Sequence, residues 1–166
     1  MSLLMELDQY DWQLLRVLQA DARLSKVALS EQVNLSSSQC SRRLQRLEQL
    51  GLIDHYATHL NRELLGLNVM AFVSVTLEKH GENPAQRFHQ AIKEIAAIQE
   101  GYSVTGDADY LLRVISEDLK SFSDFLMDQL VAIPGVSHVK STVVLDCIKA
   151  SNQLPLPKLA TAQVLR

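Results

Sequence analysis

The chain lacks most of the features that mark secreted, metal-binding or membrane proteins. Only two cysteines occur among its 166 residues, Cys40 and Cys147, which are too few and too isolated for a disulfide framework or a CxxC metal site. We expect both to be buried thiols. The N-terminus has no basic segment followed by a long apolar one, and no apolar run approaches the ~18 residues of a membrane span. These absences favour a cytoplasmic protein.

Motifs for catalysis are also missing. The chain has no GxSxG segment and no phosphate-binding loop, and His80, His89 and His138 lack the local context of a catalytic triad. His55 and His59 have the HxxxH spacing that binds metal on a helix. The surrounding IDHYATHL is predicted to be a strand, along which residues four apart lie about 13 Å from end to end. We therefore predict that the protein is not an enzyme and has neither a metal nor a cofactor.

What the chain does have is positive charge concentrated in one short segment. The formal net charge is −3, which argues against a generally cationic protein. The stretch SSSQCSRRLQRL, from Ser36 to Leu47, nevertheless contains three arginines and no acid. A local basic face of this kind is what a DNA-binding module needs. The hydrophobic fraction of 47% indicates an ordinary folded core around it.

The first sixty residues predict three helices. In LDQYDWQLLRVLQADARL, Asp8 is an N-cap before apolar residues at helical spacing. A second helix begins after Ser25, and Asn34 suits the tight turn that follows it. Ser36 caps a third helix, for which Gly51 supplies the left-handed C-terminal stop. Two helices joined by a turn of about four residues match the helix-turn-helix plan, in which the second helix enters the major groove.

The third helix has two faces of different chemistry. Cys40, Leu44 and Leu47 form an apolar stripe at i, i+4 and i+7, and polar side chains fall on the opposite side. Arginine can fork onto guanine, glutamine onto adenine and serine onto bases or phosphate, while the free amides near the cap form a phosphate seat. The predicted DNA contacts are Ser36, Ser37, Ser38, Gln39, Ser41, Arg42, Arg43, Gln45 and Arg46.

An ordinary solvated helix is the other interpretation of three arginines on an amphipathic segment. The capped helix and the turn before it favour DNA binding. Arg43 lies near the boundary between the two faces. At that position it would either hold a phosphate or pair with Glu48 or another nearby acid.

The remaining residues predict a second domain. A strand is expected around Ile53 to Leu60, followed by a connector over 61–68. The segment VMAFVSVTLE then alternates as a strand with one buried face, and its other face begins apolar at Met70 and Phe72 and is partly available for association. Two covering helices and three more strands follow, with a turn at GDAD between two of the strands. The order βαββαβ is that of a ferredoxin-like domain.

Three segments of this sequence resemble the leucine-responsive and asparagine-responsive transcription regulators, the Lrp/AsnC family. They are LDQYDWQLLRVLQADAR, LSEQVNLSSSQCSRRLQRLEQLGLI and VTGDADYLLRV, and the resemblance extends from Leu7 to about Asn152. It implies an α+β chain with an N-terminal winged helix-turn-helix domain and a C-terminal ferredoxin-like (ACT-like) βαββαβ domain. Family recognition helices often begin Ser-Pro, whereas Ser37 and Ser38 follow the cap here; this departure leaves the implied fold unchanged and the preferred DNA sequence open.

The resemblance also implies the domain organisation and the function. Residues 1–60 would bind double-stranded DNA through a motif at about 26–45, and 61–68 would link them to an effector-binding and oligomerisation domain over 69–150. Residues 151–166 would form a loose or docked tail. The chain would be a sequence-specific transcription regulator, a homodimer that assembles further, commonly to an octamer, and its effector would be an amino acid.

The effector pocket implied by the family lies at contacts between dimers, near the turn of the second domain. An amino acid carries both charges, so turn amides would take its carboxylate while Asp107 or Asp109 met its ammonium group; turn formation alone is the other interpretation of these aspartates. The alternative function is a ligand-binding regulatory or scaffold protein whose helix-turn-helix serves protein contacts. The implied pocket residues are Gly106, Asp107, Asp109 and Tyr110, with Thr142, Val143 and Val144 of a facing strand.

Overall fold

The computed structural model describes residues 7–78 and 83–157, which form two compact units. One unit contains the described residues up to Thr58 together with those from Lys149 onward, and the other runs from His59 to Ile148. No helix within the described part of the chain is long and apolar enough to cross a membrane.

The first unit contains the three predicted helices, α1 (Gln9–Ala20), α2 (Lys26–Gln32) and α3 (Ser37–Gln49). Their N-caps are the predicted Asp8, Ser25 and Ser36, each of which accepts a backbone N–H of the first turn through its side chain. After α3, Gly51 has a φ of +68°, and the Leu52 N–H donates to the Leu47 carbonyl at 3.1 Å. This left-handed termination sets where α3 ends.

The core of this unit lies between the three helices. Cys40 and Leu47 of α3 are buried there as predicted, while Leu44 is only half-buried, and burial raises the pKa of the Cys40 thiol. Cys147, in contrast, is exposed, so the expectation that both thiols are buried is wrong for it. The remaining buried apolar residues of the cluster are Trp12, Leu14, Leu15, Leu29 and Val33.

The predicted strand around Ile53 to Leu60 is wrong. Residues 54–60 form neither helix nor strand. A strand needs a neighbour to receive its backbone hydrogen bonds, and no described segment pairs with this one. A side-chain contact fastens it instead, because the Tyr56 hydroxyl donates to the Glu48 carboxylate at 2.9 Å.

The second unit is the predicted βαββαβ domain. Its elements are β1 (Val69–Leu77), α4 (Pro84–Lys93), β2 (Ile98–Ser103), β3 (Tyr110–Ser116), α5 (Leu119–Asp124) and β4 (Val136–Val143). The strands form one antiparallel sheet in the order β2-β3-β1-β4. Alternate β1 residues Ala71, Val73 and Val75 face the core, as the sequence predicts. The α+β fold class of the chain is thus confirmed, with a helical first unit and a second unit that combines one sheet with helices.

For the helix after β3, the sequence predicts an apolar stripe of Leu119, Phe122, Leu126 and Leu130, which the structure matches only in part. After α5 the chain continues as a π-helical segment, Phe125–Leu130, whose wider turns place Phe125 and Leu130 on the same buried face. Phe122 and Leu130 are buried as predicted, but Leu119 is 62% exposed and Leu126 is only half-buried. A stripe drawn with 3.6 residues per turn therefore runs out of phase with this helix.

The C-terminal segment docks on α1. The Gln19 side chain accepts from the Leu154 N–H at 2.6 Å, and the guanidinium of Arg16 donates to the Pro157 carbonyl. Leu156 packs against the core of the first unit. Of the two states expected for the tail, its described part adopts the docked one.

Candidate DNA interface and ligand cavity

The outer face of α3 presents polar side chains opposite its buried stripe. Ser38, Gln39, Arg42 and Gln45 are exposed, while Ser41 and Arg46 are half-buried. This placement agrees with the predicted two-faced helix. It brings donors and acceptors into one surface strip, as contacts with base edges require.

The N-terminus of α3 is held by its own polar residues. Gln39 Oε1 accepts from the Ser36 backbone N–H at 3.2 Å, and Ser36 Oγ accepts from the Gln39 backbone N–H at 3.3 Å, which completes a capping box. The Ser37 hydroxyl lies 3.2 Å from that of Ser30 in α2. Gln39 and Ser37 therefore help to fix the helix-turn-helix geometry, in addition to being placed beside the helix N-terminus.

Arg43, expected either to hold a phosphate or to pair with a nearby acid, directs its side chain toward α1 and pairs with acids there. Its Nη2 lies 2.7 Å from Asp8 Oδ2 and its Nη1 lies 2.8 Å from Asp11 Oδ1. Arg46 donates to the other Asp11 oxygen at 3.1 Å. The acid that pairs with Arg43 is thus not Glu48. Asp11, only 1% exposed, joins two arginines of α3.

The pKa values reflect this network. Burial raises the pKa of Asp8, but the hydrogen bond from the Asp11 N–H and the pairing with Arg43 outweigh it, and the net shift is downward. Burial likewise lowers the pKa of Arg43, whereas its bonds to Asp11 and Asp8 raise it above the usual value. The charged forms of both partners are therefore favoured.

Arg42 differs from the other two arginines of α3. It is exposed, and within the described residues no hydrogen bond or ion pair engages its guanidinium. Asp8 and Asp11 are partners of α3 that the interpretation of the sequence does not include. The available signal was the matching spacing, two carboxylates three apart in the first helix region and two arginines three apart in the third.

The second unit contains an open cavity of about 520 Å³ between the end of β1, the start of α4 and the β2–β3 turn. The four predicted turn residues all line it, namely Gly106, Asp107, Asp109 and Tyr110. The other lining residues are Thr76, Leu77, Glu78, Pro84, Ala85, Ser103 and Val104.

The turn residues have different roles in the cavity wall. Asp109 accepts from the Leu77 N–H at 2.8 Å, so its carboxylate also closes the turn against β1. Asp107 has an exposed side chain, and its carbonyl lies 3.5 Å from the Thr76 hydroxyl. Tyr110 is buried, with its hydroxyl 2.9 Å from His89 Nε2.

The strand residues of the predicted pocket lie elsewhere. Thr142 pairs with Phe72 and Val143 with Ala71, and the Val144 N–H donates to the Met70 carbonyl at 2.8 Å. They therefore lie near the start of β1, whereas the cavity lies at its end. Within one chain the structure does not bring Thr142, Val143 and Val144 together with the turn residues.

Comparison with protein families matches each unit. A family model described as winged helix-turn-helix DNA-binding matches residues 7–54, and one described as Lrp/AsnC ligand binding domain matches residues 70–154. The chain belongs to the Lrp/AsnC family. It is thus a DNA-binding transcription regulator with a ligand-binding domain, as the resemblance implied, and its relatives are regulators and not enzymes.

Individual members of the Lrp/AsnC family align over nearly the whole chain. The leucine-responsive regulatory protein of Escherichia coli K12 is 36% identical over 149 residues, which are 90% of this chain and 91% of that protein. A Neisseria meningitidis transcriptional regulator in complex with L-methionine has a TM-score of 0.87 and 37% identity, covering 90% of this chain and 96% of that one. An AsnC family regulator of Agrobacterium tumefaciens has a TM-score of 0.84 and 32% identity, covering 90% and 97%.

Proposed function

We propose that this Lrp/AsnC regulator binds a specific duplex DNA site as a homodimer, through the outer face of α3, and that an amino acid in the cavity at the β2–β3 turn modulates DNA binding or assembly. The observation that supports the DNA contacts is the exposed strip of Ser38, Gln39, Arg42 and Gln45 on a helix whose opposite side is buried. We place the regulator in the cytoplasm, with access to DNA.

The contacts divide by position along α3. In the proposed complex Arg42 and Gln45 read base edges, with Ser38, Gln39 and Ser41 beside them. Ser36 and Ser37 flank the free amides of the helix N-terminus, which suit a phosphate. Arg46 lies at the edge of the strip next to Asp11. The face is polar and charged, whereas the alternative function, protein contacts by the helix-turn-helix, would favour apolar anchors.

Dimerisation is needed because one helix discriminates weakly. A good bidentate base contact contributes about 1 to 3 kcal/mol, so two heads on a palindromic site supply the affinity of an operator. The sheet face opposite α4 and α5 is the proposed dimer surface. Register places Met70 and Phe72 beside Ile115 and Arg113 on this face, with Leu111 next to Ser74. Dimers would associate further, as in the octamers expected from the family.

The size of the cavity and the carboxylate at its turn support an amino acid as the proposed ligand. Cavities of about 300 to 1,000 Å³ are typical for small ligands, and that of this regulator is about 520 Å³. The exposed Asp107 carboxylate would take the ammonium group and turn amides the carboxylate. L-methionine, the ligand of the neisserial relative, supports an amino acid as the ligand class. Such a ligand alters DNA binding only through different affinities for alternative assemblies, typically about 1 to 3 kcal/mol of coupling.

The DNA-binding proposal is tested by selecting genomic fragments with the full chain at moderate salt and then measuring Arg42→Ala on the selected site. A base contact predicts a loss of about 1 to 3 kcal/mol at that site only, while a phosphate contact predicts equal weakening on all sequences. Asp54→Asn, which changes an exposed residue outside α3, is the control. Failure of the wild-type protein to enrich any duplex would refute the proposal.

The ligand is tested by thermal-shift screening of the twenty amino acids. A ligand at 100 times its dissociation constant stabilises the fold by about 2.7 kcal/mol, which is a measurable rise in Tm. An amino acid that raises Tm and also changes DNA affinity supports the proposal. No shift with any of the twenty, at millimolar concentration, would contradict it.

A further inference from the structure

We propose that Asp8 and Asp11 keep two of the three arginines of α3 from binding DNA phosphates nonspecifically, so that Arg42 is the arginine with which the helix reads its site. This inference rests on the proposed DNA interface and deepens it. Asp8 and Asp11 would not touch DNA; they act through Arg43 and Arg46 and are positioning residues.

The guanidinium of Arg43 is already engaged by other side chains. Its two terminal nitrogens lie 2.7 Å from Asp8 and 2.8 Å from Asp11, and its guanidinium carbon lies 5.4 Å from the centre of the Tyr10 ring. Its side chain is 23% exposed. A phosphate would have to displace two carboxylates and an aromatic contact to engage this group.

Asp11 is the buried partner of both arginines. Its carboxylate is 1% exposed, and one oxygen binds Arg43 while the other binds Arg46 at 3.1 Å. If both arginines turned toward DNA, they would leave a buried charge uncompensated. The free-energy cost of a buried, unpaired carboxylate exceeds the free energy gained from solvent-exposed ion pairs with phosphate. Both arginines should therefore stay with Asp11 when DNA is near.

The charge balance of the module follows from these contacts. Of the three arginines on α3, two are neutralised by aspartates of the α1 region, and Arg42 is exposed without such a contact in the described residues. Nonspecific binding depends on how many phosphates a protein neutralises. The three arginines of α3 thereby contribute much less phosphate binding than their number suggests. Base contacts then account for a larger share of the DNA affinity.

The test measures how the dissociation constant for a nonspecific duplex depends on salt, for the full chain and its Asp11→Asn variant. Each arginine released to a phosphate steepens the plot of log K against log salt by about 0.9, so the variant slope should steepen by about 1 to 2 per DNA-binding head. Nonspecific affinity should rise, and the ratio of specific to nonspecific affinity should fall. Adding Arg43→Gln should recover part of the wild-type slope.

Two further variants separate this proposal from simpler effects. Asp54→Asn removes an acidic group that is 93% exposed, lies in the same unit and pairs with His55. A slope as steep as that of Asp11→Asn would attribute the change to net charge and overturn the proposal. Asp8→Asn keeps an N-cap acceptor and removes only the carboxylate beside Arg43. It should steepen the slope by a smaller amount, and it serves as the test if Asp11→Asn does not fold.

A purely structural role predicts a different result, a lower Tm for the aspartate variants with an unchanged slope. That outcome would refute the inference while leaving DNA binding by the wild-type protein intact. Absence of DNA binding by the wild type would instead refute the proposed function.

Discussion

At the scale of residues, aspartates have different roles in the two units. Asp11 is buried and compensated by arginines far along the chain, whereas Asp107 is exposed at a cavity wall. Asp109 lies beside Asp107 but accepts from the Leu77 backbone at 2.8 Å. Sequence alone gave both turn aspartates the same two interpretations. The structure distinguishes them, because one carboxylate also closes the turn.

Asp107→Asn should weaken binding of the amino acid that gives the largest thermal shift. The substitution keeps the shape of the side chain and removes its charge, and a hydrogen bond to a charged group contributes about 1.5 to 3 kcal/mol, or roughly tenfold to a hundredfold in Kd. Isothermal titration measures it, with the exposed Asp128→Asn as control. Asp109→Ala should weaken binding as well, through loss of the turn contact with Leu77. Unchanged affinity in both cavity variants would rule out this pose.

Tyr56 gives a prediction with a defined pH dependence. Burial, together with its hydrogen bond to Glu48, raises the pKa of Tyr56 to about 12. Because the folded state holds the proton more tightly than the unfolded state, with a pKa of about 10, this contribution to stability is complete below pH 10 and is lost as pH rises through 12. Tyr56→Phe should therefore lower the free energy of unfolding by about 0.5 kcal/mol at pH 7, a small value because the site is half exposed. Urea unfolding of variant and wild type at pH 7 should differ by this amount; identical curves would contradict the assignment.

At the scale of elements, two substitutions test which residues of the helix after β3 face the core. Leu130→Ala should lower the free energy of unfolding by about 2 to 5 kcal/mol, because Leu130 is fully buried. Leu119→Ala should change it by less than about 0.5 kcal/mol, because that side chain is 62% exposed. Chemical denaturation of the two variants measures both. Equal losses would favour a regular α-helix with the stripe predicted from sequence.

The sheet face opposite α4 and α5 is the proposed dimer surface, and a substitution on it tests dimerisation. Phe72→Asp places a charge in the proposed interface, where a central aromatic typically contributes about 2 kcal/mol or more, so the dimer should dissociate about 30-fold more readily. Sedimentation over a concentration series measures this change. Gln86→Asp, on an exposed position of α4, is the control. An unaltered dimer in the Phe72 variant would exclude this face as the interface.

These elements show what the sequence could predict. The three helices of the first unit are well predicted because a cap such as Ser36 and a stop such as Gly51 act within one helical turn. The strand at Ile53 to Leu60 is wrong because a strand depends on a partner elsewhere. The pairing of Arg43 with Asp11 spans 32 positions. The matching spacing of carboxylates and arginines is compatible with such a pair, but local patterns do not show that its members meet in the fold. Thr142 is placed beside the cavity turn only by the family resemblance.

At the scale of the whole molecule, the ligand-binding unit is inserted into the DNA-binding unit. The chain leaves the first unit at Thr58 and re-enters it at Lys149, so both ends of the second unit continue directly into the first. The sequence predicted two consecutive domains and a tail whose docking was open. The tail forms part of the first unit because Leu156 joins its core and Leu154 bonds to Gln19.

This arrangement predicts a role for the docked tail in transmitting the ligand signal. Leu156→Ala removes a half-buried side chain from the first unit and should lower the free energy of unfolding by about 1 to 2 kcal/mol. The variant loosens the tail, which is one of the two connections between the units. We therefore expect the ratio of DNA affinities with and without the amino acid to move toward one. Affinity for the amino acid itself should be preserved. Fluorescence anisotropy on the selected site, with and without ligand, measures the ratio. Val27→Ala, which shortens an exposed apolar side chain of α2, is the control. If Leu156→Ala destabilised the fold but left the ratio unchanged, the coupling would run through the 59–68 connection alone.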